Sequence, residues 1–430
     1  MSWDFETDPE FAAQLEWVDR FVREEIEPVD MLVDHSLEVG NPVRDALIKP
    51  LQAIVQERGL WACHLGPELG GEGYGQLKLA LLNEILGRTH SGPVVFGCQA
   101  PDSGNAEILA HFGSPELKDR YLVPLIRNDI VSCYSMTEPE GGSDPTGFKT
   151  RARRDGDDWV ISGEKWFSSN ARFASFLIVM AVTDPEAEPH RRLSMFVVPS
   201  DTPGVEIIRN VGVWGHEYSE STHAYIRYDD VRIPADHILG GEGDGFLVAQ
   251  TRLGGGRIHH AMRTVGLVRR ELDMMLERSV SRTTRGKRLA DHQLVQEMLA
   301  DSWIQLEQFR LLVLRTAWKI DRYQDYKKVI LDISAVKAAM PRVLADVSSR
   351  AIQLHGSLGI STELPFGRWL MESQHMALAD GATELHKVQV AKQLVRDVEP
   401  ASGLFPTGHI PGRRERAKSK LADRLKGLAT

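Results

Sequence analysis

The chain has 430 residues, of which 42% are hydrophobic, and its formal net charge at pH 7 is -9. That length exceeds one typical compact domain and predicts two or three domains. The acidic balance argues against nucleic acid as the main partner, and no apolar run in the sequence is long enough to span a bilayer.

Residues 1–131 are predicted to form an N-terminal helical domain. Apolar residues recur at helical spacing along Phe11–Val22, which predicts a helix that ends near Pro28. The run Leu77–Leu86 predicts a second helix. Ser114, which proline follows, is typical of a helix N-cap with proline in the first turn, and it predicts a third helix.

Residues 132–243 are predicted to form a middle β domain, either a small barrel or a sandwich. Short segments rich in β-branched and aromatic residues are bounded there by Gly, Pro or Asp, as is typical of strands. These segments are Trp159–Ser162, Phe176–Met180, Met195–Val198, Val205–Ile208 and His223–Tyr228.

Residues 244–400 are predicted to form a C-terminal helical domain. The apolar face of Val295–Val313 predicts one long helix. Ile330–Leu354 predicts another, which Pro341 should kink or divide. The tail 401–430 is basic and is expected to be a solvated or loosely docked helix.

The loop Tyr134–Asp144 lies where helical sequence gives way to strand-like sequence. Tyr134, Thr137 and Ser143 supply hydroxyl groups, and Gly142 lets a ligand approach the backbone closely. Such a loop can offer N–H and O–H donors to a planar ring that is rich in acceptors. The alternative is an ordinary polar turn.

Two further segments carry groups suited to a cofactor. In Trp166–Asn170 an aromatic ring lies beside two serines and could stack on a flat cofactor, although a core aromatic is the alternative. Arg282–Arg288, which Gln293 follows, could contact phosphate through its guanidinium groups. A charged connection between helices is equally compatible with that segment.

A glycine-containing turn and an Asp-Gly pair complete the candidate segments. The turn Gln353–Gly359 only partly matches the G-x-S-x-G turn of hydrolases, because its first glycine is missing and a helix precedes it. Asp380 comes before Gly381 at the end of the predicted helix Trp369–Ala379. Its carboxylate could project into a cleft, or the pair could form a C-cap turn.

No metal site is predicted. The three cysteines form no CxxC pair, and the adjacent histidines His259 and His260 cannot easily share one metal on a helix. The absence of a disulfide framework fits a reduced setting. The first eight residues are acidic and lack the apolar core of a signal peptide, so we expect a cytoplasmic protein.

Four of these segments together resemble the acyl-CoA dehydrogenase family of flavoproteins, and the resemblance covers residues 1–400. The segments are Met136–Asp144, Gly163–Ser168, Gln353–Gly359 and Asp380–Gly381. The resemblance implies an α+β fold with an N-terminal all-α domain, a middle β-barrel or sandwich domain and a C-terminal four-helix bundle. It also implies FAD-dependent α,β-dehydrogenation of an acyl-CoA thioester, electron-transfer flavoprotein or a similar acceptor, and a homodimer or homotetramer.

The resemblance implies that Asp380 is the catalytic base. It stands where the best-known members carry a glutamate, and the family's alternative base position, near residue 255, is glycine here. This pattern indicates a branch of the family that uses aspartate. The carboxylate would remove a proton from the carbon next to the thioester carbonyl, with its pKa raised by burial, and the backbone N–H of Asp380 would donate to the thioester oxygen.

The resemblance also implies the residues that contact the ligands. Trp166 would stack near the flavin ring, Ser168 would contact its reactive edge, and Gln353–Ser357 would reach the FAD of a neighbouring subunit. The implied FAD contacts are Tyr134, Met136, Thr137, Gly142, Ser143, Trp166, Ser168, Arg282, Gln293, Gln353, His355, Gly356, Ser357, Thr383 and Glu384. The implied substrate contacts are Ser143, Arg257 and Gly381.

Two alternatives stay open. A relative with the same fold, such as a nitroalkane oxidase, could use an aspartate base on another acidic C–H bond, and the reactivity of the reduced flavin with oxygen separates the two. A non-catalytic relative could bind nucleic acid through the basic tail Arg413–Lys426, although the acidic chain opposes this interpretation.

Overall fold

The computed structural model describes residues 6–33, 35–213 and 221–426. The expectation drawn from the acidic N-terminus therefore rests largely on residues 1–5, which lie outside the described residues. Along the described chain, helices come first, strands follow and helices return, which confirms the predicted order. In these residues no helix is both long and apolar enough to cross a membrane.

The N-terminal helices are α1 (Pro9–Phe21), α2 (Pro42–Glu57), α3 (Gly75–Leu86), α4 (Gly92–Val95), α5 (Asp102–Phe112), α6 (Pro115–Leu117) and α7 (Val123–Ile126). Asp8 caps α1, because its carboxylate accepts a hydrogen bond from the N–H of Phe11 at 2.9 Å. Ser114 accepts in the same way from the N–H of Leu117 at 3.2 Å, which confirms the predicted N-cap.

The strands of the middle region are β1 (Ser132–Ser135), β2 (Arg151–Asp155), β3 (Asp158–Ser169), β4 (Phe176–Val182), β5 (Leu193–Pro199), β6 (Val205–Val211) and β7 (His223–Pro234). They form one seven-stranded sheet of order β1-β4-β2-β3-β7-β6, with β5 paired to β4. The end of β3 also pairs with β1, where Tyr134 lies opposite Ser169. The sheet therefore curls until the loop after β1 meets the motif at the end of β3.

A β-bulge interrupts the pairing of β3 with β7. Between Lys165 and Ser168, β3 has two residues, Trp166 and Phe167, where β7 has only Tyr225. Phe167 accommodates the extra residue by adopting a left-handed backbone with φ of 54°. The bulge therefore changes which side chains of the motif point out of the sheet.

The C-terminal region contains α8 (Gly245–Ser281), the short strands β8 (Thr283–Thr284) and β9 (Lys287–Arg288), α9 (Gln293–Tyr323), α10 (Tyr326–His355), α11 (Ser357–Ile360), α12 (Phe366–Leu378), α13 (Thr383–Val395), α14 (Ile410–Lys420) and α15 (Ala422–Leu425). The two predicted long helices are confirmed as α9 and α10. The expectation that Pro341 divides the second helix is wrong, because α10 continues through it. Pro341 is buried where α10 packs against α8, α9 and α12, and this packing outweighs the local cost of proline, about 3 kcal/mol.

Helices α3 and α8 approach each other closely enough to bring backbone against backbone. A Cβ atom at Gly87, just after α3, would overlap the carbonyl oxygen of Arg263, and one at Gly266 would overlap that of Glu84. Arg263 also donates from Nε to the side-chain oxygen of Asn83 at 2.9 Å. These contacts fix the position of α8, which carries much of the candidate site, against the N-terminal helices.

We expect Gly266→Ala to lower the free energy of unfolding by about 1–3 kcal/mol, because the added methyl group must push the two backbones apart. Gly367→Ala is the matched control, since no atom lies within 4 Å of a Cβ placed there, in helix α12. Urea unfolding of both variants measures the difference. Equal stability of the two would contradict the close contact of α3 with α8.

Candidate functional site

A buried ion pair supports the loop that follows β1. Lys165 on β3 and Glu138 in the loop are both buried, and the Lys165 ammonium lies 2.9 Å from Oε1 of Glu138. Lys165 also donates to the carbonyl oxygen of Met136 at 2.8 Å, while the Glu138 carboxylate accepts from the N–H groups of Lys149 and Thr150. One ammonium and one carboxylate therefore link the loop to the centre of the sheet.

Each member of the Lys165–Glu138 pair stabilises the ionised form of the other. Burial lowers the pKa of Lys165 to about 8, although Glu138 acts in the opposite direction. Burial alone would raise the pKa of Glu138, but Lys165 and two backbone N–H groups hold it below its ordinary value. Both groups are consequently ionised near neutral pH, which a buried pair requires if it is to hold its geometry.

Because of the bulge in β3, the side chains of Trp166–Ser169 lie on two different sides of the sheet. The indole of Trp166 packs edge-on against the ring of Tyr225, with 5.6 Å between ring centroids. The ring of Phe167 stacks on His223 at 4.9 Å. Ser169 also lies on this side, since its hydroxyl is 3.0 Å from Nδ1 of His223.

Ser168 points the other way, into the core of the sheet. It is fully buried, and its hydroxyl is 2.8 Å from that of Ser135, which in turn accepts a hydrogen bond from Tyr228 at 2.9 Å. The resemblance implied that Ser168 contacts the ligand, but this geometry favours Ser169 as the hydroxyl that a ligand can reach. Sequence analysis considered both serines of this motif but assigned the contact to Ser168, and it did not single out Phe167 or His223, because the position of a bulge cannot be read from strand alternation.

Asp380 lies in the tight turn between α12 and α13. It adopts φ of 55°, and Gly381 follows with φ of 100°. The carbonyl oxygen of Asp380 accepts a hydrogen bond from Nε of Arg257 at 3.0 Å and lies 3.3 Å from Nε2 of His386. A Cβ at Gly381 would lie 3.0 Å from that same His386 nitrogen, so the turn requires glycine.

The carboxylate of Asp380 faces α8. A Cβ at Gly256 would lie 3.3 Å from its Oδ2, and Nε2 of His260 lies 3.5 Å from the same oxygen. Burial alone would raise the pKa of Asp380, but His260, followed by Arg252 and other nearby cations, holds it below its ordinary value. The expectation that burial raises the pKa of Asp380 is therefore wrong, because the surrounding charges outweigh burial.

Arg252 links the surroundings of Asp380 to β1 and α5. Its guanidinium lies 3.8 Å from the centre of the Tyr134 ring, and its Nε donates to the side-chain oxygen of Asn105 on α5 at 2.8 Å. Burial raises the pKa of Tyr134 to about 12, with Arg252 opposing and Asp380 adding to the shift. The hydroxyl of Tyr134 is 3.4 Å from the sulfur of Met136. Residues of β1, α5 and α8 thus meet beside Asp380.

Other residues implied by the resemblance lie nearer the surface. Thr137 is half-buried next to Gly142, and Gly142 and Ser143 are exposed. In α13, Thr383 donates to the carbonyl oxygen of Ala377 at 3.2 Å and Glu384 is exposed.

Two sets of FAD contacts that the resemblance implies, in the segments 282–293 and 353–357, lie apart from the cluster around Asp380. The residues concerned are exposed, namely Arg282, Gln293, Gln353, Gly356 and Ser357. His355 is instead buried, with Nδ1 2.8 Å from the carbonyl oxygen of Ala351. No side-chain hydrogen bond or ion pair between the described residues links any of these to Asp380.

Three family models match consecutive parts of the chain. They describe the N-terminal, middle and C-terminal domains of acyl-CoA dehydrogenase and match residues 8–129, 133–231 and 243–395. Together the three matches follow the helical, β and helical regions of the fold.

Known proteins resemble the chain over most of its length. It is 40% identical over 350 residues to probable acyl-CoA dehydrogenase FadE2 of Mycobacterium tuberculosis, covering 80% of this chain and 85% of that protein. It is 37% identical over 390 residues to acyl-CoA dehydrogenase family member 11 of Mus musculus, covering 88% of this chain but only 50% of that protein. The chain therefore spans about half the length of that curated relative.

A solved structure of a related protein has the same fold. A putative acyl-CoA dehydrogenase from Mycobacterium abscessus superimposes with a TM-score of 0.86 at 36% identity, covering 92% of this chain and 100% of that chain.

Glu138→Ala should lower the free energy of unfolding by about 3–5 kcal/mol, because it leaves the Lys165 ammonium buried without its partner. Glu140→Ala is the matched control: Glu140 belongs to the same loop and pairs with Lys149, but both side chains are 70% exposed. That pair should contribute at most about 1 kcal/mol. If urea unfolding gives the same loss for both variants, the buried pair does not hold the loop.

Proposed function

The chain belongs to the acyl-CoA dehydrogenase family, and we propose that it catalyses the FAD-dependent α,β-dehydrogenation of an acyl-CoA thioester with Asp380 as the base. The observation that carries this proposal is the placement of the Asp380 carboxylate. It is held by a tight turn, faces Gly256 of α8 and lies near Arg252, whose guanidinium packs on the ring of Tyr134 in β1.

The residues on the outward side of β3 fit a flavin. Proteins of this family bind FAD. The rings of Trp166 and Phe167 offer flat apolar surface, and the hydroxyl groups of Thr137 and Ser169 offer donors to the edge of a ring that is rich in acceptors. When bound, FAD would accept the hydride that the substrate loses from its β carbon.

We assign further contacts to the cofactor and the substrate from the family resemblance. Tyr134, Met136, Thr137, Gly142, Ser143 and Trp166 would line the ring, and Thr383 and Glu384 would lie beside it. Arg282 and Gln293 would bind the pyrophosphate and adenosine parts, and the turn Gln353–Ser357 would serve the cofactor of a second subunit. Ser143, Arg257 and Gly381 would contact the substrate.

Asp380 is suited to take the proton from the α carbon. Its lowered pKa keeps the carboxylate ionised at neutral pH, so the base is ready before substrate arrives. Substrate and cofactor would displace water from around it, and this desolvation would raise its proton affinity during the reaction. In the described part of the chain, the backbone N–H of Asp380 has no hydrogen-bond partner, so it is free to donate to the thioester oxygen.

The glycine at position 256 supports the assignment of the base to Asp380. It leaves no carboxylate on this face of α8 at the point where Asp380 approaches it, and even a methyl group there would touch the Asp380 carboxylate. The use of aspartate rather than glutamate is consistent with this arrangement, because the shorter side chain reaches into the space that glycine leaves open.

Asp380→Asn should keep FAD and the fold, since the two side chains have nearly the same shape, but it should slow anaerobic flavin reduction about 10²–10⁴-fold. Stopped-flow bleaching of the flavin with a panel of acyl-CoAs measures this rate. Asp380→Glu serves as the comparison, because it restores a carboxylate with a longer reach. A rate for Asp380→Asn within about threefold of wild type would assign the proton transfer to another group.

The same preparation separates the dehydrogenase from an oxidase with an aspartate base, such as a nitroalkane oxidase. A dehydrogenase should pass electrons to electron-transfer flavoprotein or a similar carrier, and its reduced flavin should react slowly with oxygen. Bleaching by nitroalkanes together with rapid reoxidation by oxygen would support the oxidase instead.

A homodimer or homotetramer is the proposed assembly. Helix α13 carries large apolar side chains that are exposed in the single chain, among them Val388, Leu394 and Val395. Exposed apolar surface of this kind is typical of an interface between subunits. In the segment Gln353–Ser357, the residues Gln353, Gly356 and Ser357 are exposed, as a contact with a neighbouring subunit requires.

Light scattering of the FAD-loaded protein should give the mass of a dimer or tetramer. The double variant Leu394→Lys/Val395→Lys should shift the protein towards smaller species, because charges would be buried in the interface. Leu404→Lys is the control, since Leu404 is 91% exposed in the tail outside α13. A monomeric wild-type protein at micromolar concentration would contradict the assembly.

A further inference from the structure

His260 is the only charged or titratable side chain whose contact with the Asp380 carboxylate is within ion-pair distance in the described residues. Its Nε2 lies 3.5 Å from Oδ2, slightly longer than an ordinary hydrogen bond. The main-chain carbonyl of Asp380 is bound separately, by Arg257 and His386. The backbone of the turn is thus held by one pair of residues, while the carboxylate is left to His260.

The position of His260 on α8 explains this contact. Gly256 and His260 are four residues apart and therefore lie on the same face of the helix, one turn above the other. The glycine makes room for the carboxylate, and the histidine presents a ring nitrogen beside it. His259, the neighbouring residue, points elsewhere: its Nε2 lies 3.2 Å from the side-chain oxygen of Gln76.

We propose that His260 is a positioning residue for Asp380, which orients the carboxylate by donating a hydrogen bond from Nε2 and holds it in the ionised form. The proposal rests on the proposed function of Asp380 as the base. His260 acts through Asp380 and does not itself take the substrate proton. Its ring is suited to the task because α8 holds Nε2 beside the carboxylate, and a protonated Nε2 is an N–H donor in either the neutral or the charged form of histidine.

Other charged groups also face this carboxylate, so the test must separate their effects from that of His260. They come from every element packed around the turn. They are Arg252 and Arg257 on α8, Lys337 on α10, His375 with its partner Glu372 on α12, His386 on α13 and Tyr134 on β1. All of these remain in place when only residue 260 is changed.

The test compares two substitutions at one position. His260→Gln keeps an N–H group near the position of Nε2, whereas His260→Leu removes it at similar volume. Loss of a donor to the charged form raises the pKa of a carboxylate. His260→Leu should therefore move the acid limb of the pH profile for flavin reduction upwards by about one pH unit, while His260→Gln should leave it near the wild-type position. A merely structural role for His260 would not separate the two variants in this way.

A direct titration makes the result independent of turnover. The protein labelled with ¹³C at aspartate carboxyl carbons is titrated by NMR, and the Asp380 signal is identified by its loss in Asp380→Asn. The pKa of Asp380 should rise in His260→Leu and stay near its wild-type value in His260→Gln. His259→Leu is the matched control, because it removes an equally half-buried histidine from the same helix, and it should not move this signal.

The two proposals fail in different ways. If His260→Leu leaves the Asp380 titration unchanged, or if His259→Leu shifts it equally, the role of His260 is refuted whatever the activity. If no acyl-CoA bleaches the flavin of the wild-type protein, the proposed function is refuted, while the titration still decides whether His260 controls the carboxylate.

Discussion

The buried charge of Lys165 has to be neutralised inside the sheet, and most of the candidate site depends on how this is done. An ammonium group in this position would be strongly destabilising alone. Glu138 provides the opposite charge, and the carbonyl of Met136 provides a further acceptor. Both partners belong to the loop after β1, so the loop can adopt only conformations that bring them to Lys165. The electrostatic requirement of one side chain thereby fixes the surface that we assign to the cofactor.

The same strand positions the aromatic groups. Because Lys165 must point inward to meet Glu138, and Ser168 inward to meet Ser135, the two residues between them are displaced to the outside by the bulge. Trp166 and Phe167 consequently lie together on the outward side. The inward positions of Lys165 and Ser168 in β3 thus determine both the ion pair and the bulge.

Helix α8 forms another side of the site, in addition to β3 and the loop after β1. Its glycine contacts with α3 set its distance from the N-terminal helices, and its face bearing Arg252, Gly256 and His260 then meets Asp380. The cations around Asp380 hold its carboxylate ionised, which favours a ready base but lowers its proton affinity. A site of this kind gains basicity only when ligands exclude water, and so the electrostatics link proton transfer to the filling of the cleft.

The order of helical and β regions, the N-cap at Ser114 and the segments that carry the family resemblance could be predicted from the sequence, because periodicity, capping and turn residues are local signals. The sequence did not determine that α10 continues through Pro341, because packing against neighbouring helices outweighs a local penalty. It also did not reveal that Ser169 rather than Ser168 faces outward, since a bulge depends on pairing with another strand. The lowered pKa of Asp380 and its contact with His260 were likewise decided by the tertiary structure. They arise from charges that lie far apart in the sequence and meet only where α8, α10 and the turn before α13 pack together.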